Sequence, residues 1–366
     1  MLLRYTMLSR KPAIFKAMTG LTVALFDDLV WDLGPTYGAA EYERKERPGR
    51  QRAVGGGRHC RLGVRDEFLL TVVWLRHYFT QEALGYFFAV SDTTALRAIA
   101  RTLPVLEGAG RDTMRPPPPS RRARLGVAEA LRAYPELADL DDESRVVDSW
   151  EQRTQRPTDH QEADEHYSGK KKAHTLKSQI VVELGTGNVR EISPSVPGPV
   201  ADPPLLRDSG MRERLGPDHR ALGDLGYVGA DKDKGDTGKD KASGKGKGAK
   251  GRGKSKGAKG QNKGKGEEDK EDKEDKERAA GVTPRIVTPR RKPRGQPRPP
   301  EDVVFNRTFA RARIVVEHSI RDIRIYQALS QVDRHRRKGH ERRVCAVVGL
   351  RARRCRPGRR DQRRAA

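Results

Sequence analysis

The sequence predicts an α/β protein: an all-α N-terminal domain with a helix-turn-helix region, then a sheet with flanking helices. Three observations predict it. Residues 62–106 carry helical periodicity, broken by short turns that end in helix-capping residues. From Ser144 the pattern changes to short apolar runs bounded by Gly and polar residues, which read as strands. Residues 303–329 then return to helical spacing in one long amphipathic stretch.

Taken in chain order, PAIFKAMTGLTVALFDDLVWDL at 12–33 predicts two short structural helices with polar breaks. The stretch from Arg65 to His77, with DEFLLTVVWLRH, predicts a third helix. Thr80 can cap the helix TQEALGYFF, with Glu82 in its first turn. AVSD interrupts it, Ser91 or Asp92 is the next cap, and TTALRAIARTLPVL continues. In a helix-turn-helix, Thr93, Thr94 and Arg97 would face the major groove. Leu84, Phe88, Leu96 and Ile99 would pack the pair together. The same pattern fits an ordinary helical hairpin. RPPPPS at 115–120 marks a domain boundary.

RVVDSW at 145–150 is a strand-like run containing an acid. HTLKSQIVVEL (174–184) and NVREIS (188–193) flank a GTGN turn, a hairpin signal. HRALGDLGYVG at 219–229 predicts a strand ending at Asp224, followed by Gly226 and Gly229. In the 303–329 helix, Phe309, Ala312, Val316, Ile320 and Ile323 form one apolar stripe, with Glu317 beside it.

Composition limits the function classes. The 366 residues hold 75 Lys plus Arg against 50 Asp plus Glu, a net charge of +25. That excess favours a polyanionic partner, nucleic acid before membrane. It is unevenly spread: residues 1–230 carry +2, 231–280 carry +5 and 281–366 carry +18. A hydrophobic fraction of 34% is low for a chain folded throughout. The Lys/Gly/Glu-rich segment 231–279 accounts for part of this; with no aromatic residue, it reads as a disordered insertion in a surface loop. Cys60, Cys345 and Cys355 exclude a disulfide scaffold and show no paired zinc spacing. The apolar run FLLTVVWL at 68–75 is far too short to span a bilayer, and MLLRYTMLSRKP lacks a secretory core. A cytoplasmic protein with no membrane partner is expected.

Three acids stand out: Asp148 and Asp224 at strand ends, and Glu317 on a helix against the sheet. Carboxylates supply hard oxygen ligands for Mg²⁺ or Mn²⁺, and two such ions can cleave a phosphodiester. The alternative for Glu317 is surface ion pairing with Arg313 and Arg321, four residues to either side.

YSGKKKAHTLKSQIVVE (167–183), GDLGYVG (223–229) and FNRTFARARIVVEHSIRDIR (305–324), in this order, resemble the DDE transposases of bacterial insertion sequences. The likeness is to the IS-five group of DDE superfamily endonucleases, over roughly 60–350 apart from the insertion. It implies an RNase H-like mixed sheet with helices on both faces. Carried over by motif, Asp148, Asp224 and Glu317 are the catalytic and metal-binding acids, holding two Mg²⁺ or Mn²⁺ ions. Those ions would activate water for nicking at the element's ends, then the freed 3′-hydroxyl for attack on target DNA. Lys170, Lys171, Lys172, His174 and Lys177 would neutralise DNA phosphates; the alternative for this run is a solvated strand edge. Arg313 and Arg324 would sit near the scissile phosphate or orient Glu317.

The implied domains are 1–114, helical with the DNA-binding helix-turn-helix; 115–143, a linker and lead-in; 144–350, catalytic, interrupted at 231–279; and 351–366, a basic tail. The Pro/Arg-rich 284–299 reads as an extended DNA-tracking strap or the end of the linker. The partners are the element's terminal inverted repeats and target DNA, with a homo-oligomer on DNA and association with the nucleoid when bound.

Several residues depart from the family pattern. Ser149-Trp150 replaces Gly-Thr after the first acid, and Ala201-Asp202 stands where a His-Asp pair is usual. Ala310 replaces a tyrosine, and Arg324 a lysine. The arginine-rich end from Arg343 does not read as a finished helix. These departures leave open a copy that retains DNA binding alone.

Overall fold

The computed structural model describes residues 3–46, 48–49, 51, 53–54, 60–114, 130–141, 143–215, 220–230, 286–335 and 339–355. The segments at 115–129, 231–285 and 356–366 lie outside the described residues, so the expected linker core, the insertion and most of the tail do too.

Capping residues start the helices where the sequence places them. Helices α1 (Tyr5–Leu8), α2 (Pro12–Thr19) and α3 (Val23–Lys45) come first. The second predicted helix of 12–33 is therefore long rather than short: Thr22 caps it, and it runs on through Pro35 to Lys45. α4 (Val64–His77) is buried along most of its length. Thr80 Oγ1 accepts from the Ala83 amide to open α5 (Gln81–Phe88). Ser91 Oγ accepts from the Thr94 amide to open α6 (Asp92–Thr113). Between them Ala89 takes the left-handed conformation. Gly85 is required at this turn: a Cβ there would fall 2.7 Å from the Val90 carbonyl oxygen.

Leu84, Phe88 and Ile99 pack the pair as expected, but Leu96 is 49% exposed. The buried stripe of α6 runs instead through Ala95, Ala98, Ile99 and Thr102. Small side chains let α6 approach its neighbours closely, and Leu96 falls on the outer face.

The strands are β1 (Arg145–Arg153), β2 (Tyr167–Ser168), β3 (Ala173–Glu183), β4 (Val189–Ile192), β5 (Val196–Pro197), β6 (Ala221–Leu222) and β7 (Ile286–Val287). A short helix α7 (His160–His166) precedes β2. β1 pairs antiparallel with β3, and β3 pairs antiparallel with β2, β4 and β5. β1, β6 and β7 are mutually parallel in that order, so the sheet is mixed. The Gly187 amide closes the β3–β4 hairpin on the Glu183 carbonyl, at a positive φ that glycine accommodates.

Alternation along the central strands separates two cores. Val146, Trp150, Ile180 and Val182 join the large cluster that also holds the N-terminal helices and α10 (Pro300–Arg324). Val147, Val181 and Ala221 join a second cluster with Leu206, Met211 and Tyr227, beneath α8 (Asp202–Asp208) and α9 (Met211–Arg214). Helices thus cover both faces of the mixed sheet. α10 buries Phe309, Ala312, Val316 and Ile323 along the predicted stripe. It ends at Arg324, and the rest of the predicted stretch is a 3-10 turn at Gln327–Leu329.

The arginine-rich end also folds. α11 (His340–Cys355) runs through the first five residues of the expected tail. It buries Val344, Cys345, Val347, Val348 and Leu350. Gly110 of α6 lies against the α11 backbone, where a Cβ would fall 1.9 Å from the Cys345 carbonyl oxygen.

Candidate catalytic cleft

The cleft opens where β6 stops and β1 continues. Ala221 and Leu222 pair with Arg145 and Val146, so extending that parallel register would set Asp224 beside Asp148. Asp148 is the fourth residue of the nine-residue β1, not its end, because β3 keeps β1 paired as far as Arg153. Asp224 lies two residues past the short β6, where its side chain accepts from the Gly226 amide at 2.8 Å and caps a 3-10 turn. The strand predicted to end at Asp224 is thus only two residues long and stops at Leu222.

Asp148 is largely enclosed. Its Oδ1 accepts from the Ser149 amide at 2.8 Å, and its Oδ2 lies 3.3 Å from Arg313 Nη2 on α10. Burial pushes its pKa up from 3.8 to about 6. Arg313 and the Ser149 amide oppose that shift, while the Asp224 and Asp202 carboxylates reinforce it. Three carboxylates and one guanidinium therefore share the cleft.

Asp202 is the member that reading the sequence for catalytic acids missed. It opens α8, accepts from Ser149 Oγ at 2.8 Å and pairs with Lys177 Nζ at 3.2 Å. Its only signal in the sequence is its place after Gly198, where the family carries a His-Asp pair. The family departure at Ser149 supplies one of its hydrogen bonds. Trp150, the other departure, buries its ring in the large core cluster.

Glu317 stands apart. It is one turn beyond Arg313 on α10, about 6 Å along the axis. There it is exposed, lining a surface pocket with Ile320, Arg321, Arg324, Ile325 and Ser330. Arg324 accompanies Glu317 rather than Asp148.

The other predicted site residues divide by burial. Thr93 and Arg97 are exposed on the outer face of α6, with Thr94 half-buried beside them. Lys170, Lys171 and Lys172 are exposed in the turn between β2 and β3, and His174 packs edge-on against Tyr167. Lys177 is 8% exposed and its ammonium is taken up by the Val200 carbonyl and Asp202, so it does not lie on the surface with the other lysines. In the 284–299 segment, Ile286 and Val287 form the edge strand, and Arg290 is tied to Glu136 and Asp302.

The donor chemistry of the cleft fits a divalent cation. A Cβ on Gly226 would fill a space bounded by Asp224 Oδ1 at 2.8 Å and Asp202 Oδ2 at 3.0 Å. Hard oxygens on either side of such a space suit Mg²⁺ or Mn²⁺. Among the described residues, no three His, Cys, Asp or Glu side chains stand close enough to hold one ion together. No described helix is long and apolar enough to cross a membrane.

A mixed sheet bearing these acids follows the helix-turn-helix in the chain. The chain belongs to the DDE superfamily endonucleases, whose family model matches residues 147–351, more than half of its length. The helix-turn-helix of DDE superfamily endonucleases matches residues 60–112. A probable transposase for insertion sequence element IS702 of Microchaete diplosiphon is 24% identical over 329 residues, covering 89% of each chain. No solved structure matches.

Proposed function

We propose that the protein is an insertion-sequence transposase that binds the element's terminal inverted repeats and cuts and joins DNA strands with divalent metal ions. The observation that carries the reading is the Asp148–Asp224 juxtaposition. One acid is buried with its pKa raised to about 6, the other adds to that rise, and Arg313 lies beside them. Asp148 and Asp224 would hold the ions, with Glu317 joining them from α10. When bound, the ions would supply an activated water or 3′-hydroxyl and stabilise the leaving oxygen. Arg313 would meet the scissile phosphate once Asp148 turned to a cation. Thr93, Thr94 and Arg97 would read the repeat, while Lys170, Lys171 and Lys172 would position its backbone. Joining two ends calls for a homo-oligomer on DNA.

The test is cleavage of duplexes carrying the element's ends. Wild-type protein should nick them in Mg²⁺, and Asp148→Ala should bind them without nicking. Unchanged nicking by Asp148→Ala would sink the reading. The exposed position of Glu317, away from Asp148, favours a second reading: a copy that binds DNA and no longer cuts it. That reading predicts a gel shift on the ends and no product in any divalent ion.

A further inference from the structure

Leu96, expected to pack the helix pair, is 49% exposed on the outer face of α6. A single exposed leucine is ordinary on a protein surface, so its neighbours decide what it means. Residues three and four apart on a helix share a face, which puts Leu96 beside Thr93 and Ala100, with Arg97 adjoining. All four are exposed. They lie near the start of α6, the second helix of the turn-linked pair in the segment matched as a helix-turn-helix. In that motif the N-terminal residues of the second helix meet base edges in the major groove.

The threonines here are already engaged. Thr93 Oγ1 donates to Asp92 Oδ1 at 3.2 Å, and the Thr93 amide donates to that same oxygen at 2.6 Å. Thr94 Oγ1 shares a 2.9 Å hydrogen bond with Ser91 Oγ. These bonds belong to the cap that starts the helix, and a base edge would compete with them. Among the described residues, the Arg97 side chain has no ion pair or hydrogen bond. Leu96 has only apolar surface to offer.

The groups free to read a base are therefore a guanidinium and an alkyl chain. A guanidinium suits the O6 and N7 of guanine. The major groove offers one group that an alkyl chain recognises, the C5 methyl of thymine. Covering that methyl with Leu96 also takes from water the apolar surface that α6 exposes.

We propose that Leu96 is a specificity residue of the helix-turn-helix, reading the methyl of a thymine beside the position that Arg97 contacts. This rests on the reading that α6 binds the element's terminal inverted repeat.

The test uses the full chain and duplexes carrying the repeat, with each thymine replaced in turn by uracil. That change deletes one methyl and leaves the base pairing and every polar edge in place. Wild type should lose about fourfold in affinity at one or two neighbouring thymines and nothing elsewhere, the effect of uncovering one methyl group. Leu96→Ala should bind the unsubstituted repeat more weakly by a similar factor and be indifferent to uracil at those same positions. Its side chain is on the surface, so the variant should keep the wild-type melting temperature. A wild type indifferent to uracil at every thymine would overturn the assignment. So would a Leu96→Ala protein that keeps the wild-type pattern of losses. If that variant instead changes only the oligomeric state, the leucine covers a second copy of the chain and the assignment also falls. In each of these cases a wild-type preference for the repeat over an unrelated duplex leaves the repeat-binding reading standing. No such preference would overturn both.

Discussion

Asp148 carries a cost in the free protein that a bound cation would remove. With its pKa at about 6 in the fold against 3.8 ordinarily, ionising it destabilises the folded state. The sign follows from the raised value. Relative to high pH, the stabilising effect of protonation is complete below 3.8 and is lost as pH rises through about 6. The whole shift corresponds to about 3 kcal/mol at most. Asp148→Asn removes the charge and keeps the shape. Without divalent ions its melting temperature should exceed that of wild type at pH 8, and the gap should close as pH falls toward 4. Thermal melts across that range check it; a gap that widens on acidification would contradict the burial argument. Arg313 does not cancel the cost, because one contact at 3.3 Å offsets only part of the desolvation.

At the scale of elements, local signals were legible and distant ones were not. Thr80 and Ser91 announced α5 and α6 because a cap bonds to an amide three residues away. Leu96 was misplaced because helical period alone does not say which apolar face is inward when alanines carry the close packing. Asp202 was missed because β1 and β3, not its own neighbours, hold it in the cleft. α11 was missed because its buried arginines have partners outside the helix: Arg343 pairs with Asp333, and Arg351 with Asp322. Two predictions belong here. Arg97 is exposed on the helix proposed to read DNA, so Arg97→Ala should weaken binding to the repeat and lower the salt slope by about one. Binding titrations over a salt series check it, and an unchanged slope would remove Arg97 from the interface. Gly110→Ala would drive a methyl carbon to 1.9 Å from the Cys345 carbonyl oxygen of α11. Backbone cannot yield as a flexible side chain can, so a loss of about 1–3 kcal/mol or more is expected in denaturant melts.

Across the whole molecule, the basic excess has two uses. The +18 of residues 281–366 suggested a surface for nucleic acid, yet many of those arginines hold the fold together. Arg290 bonds Glu136 and Asp302, Arg313 meets Asp148, Arg343 meets the fully buried Asp333, and Arg353 reaches Asp32 in α3. The pairs of Arg290 with Glu136, Arg313 with Asp148 and Arg353 with Asp32 tie the C-terminal region to elements far away in sequence, so net charge overstates the surface free for DNA. The same logic bears on residues 231–279. Among the described residues, Ala230 and Ile286, which flank the stretch 231–285, are buried in the same apolar cluster. The only apolar side chains in 231–279 are alanines, so the segment has little to add to a core, and shortening a connection changes closure entropy only slowly with length. Replacing residues 231–279 with a Gly/Ser linker of about ten residues should therefore shift the melting temperature by only a few degrees. Melts of the two full-length forms check it. A large drop would mean that the segment supplies stability its composition does not suggest.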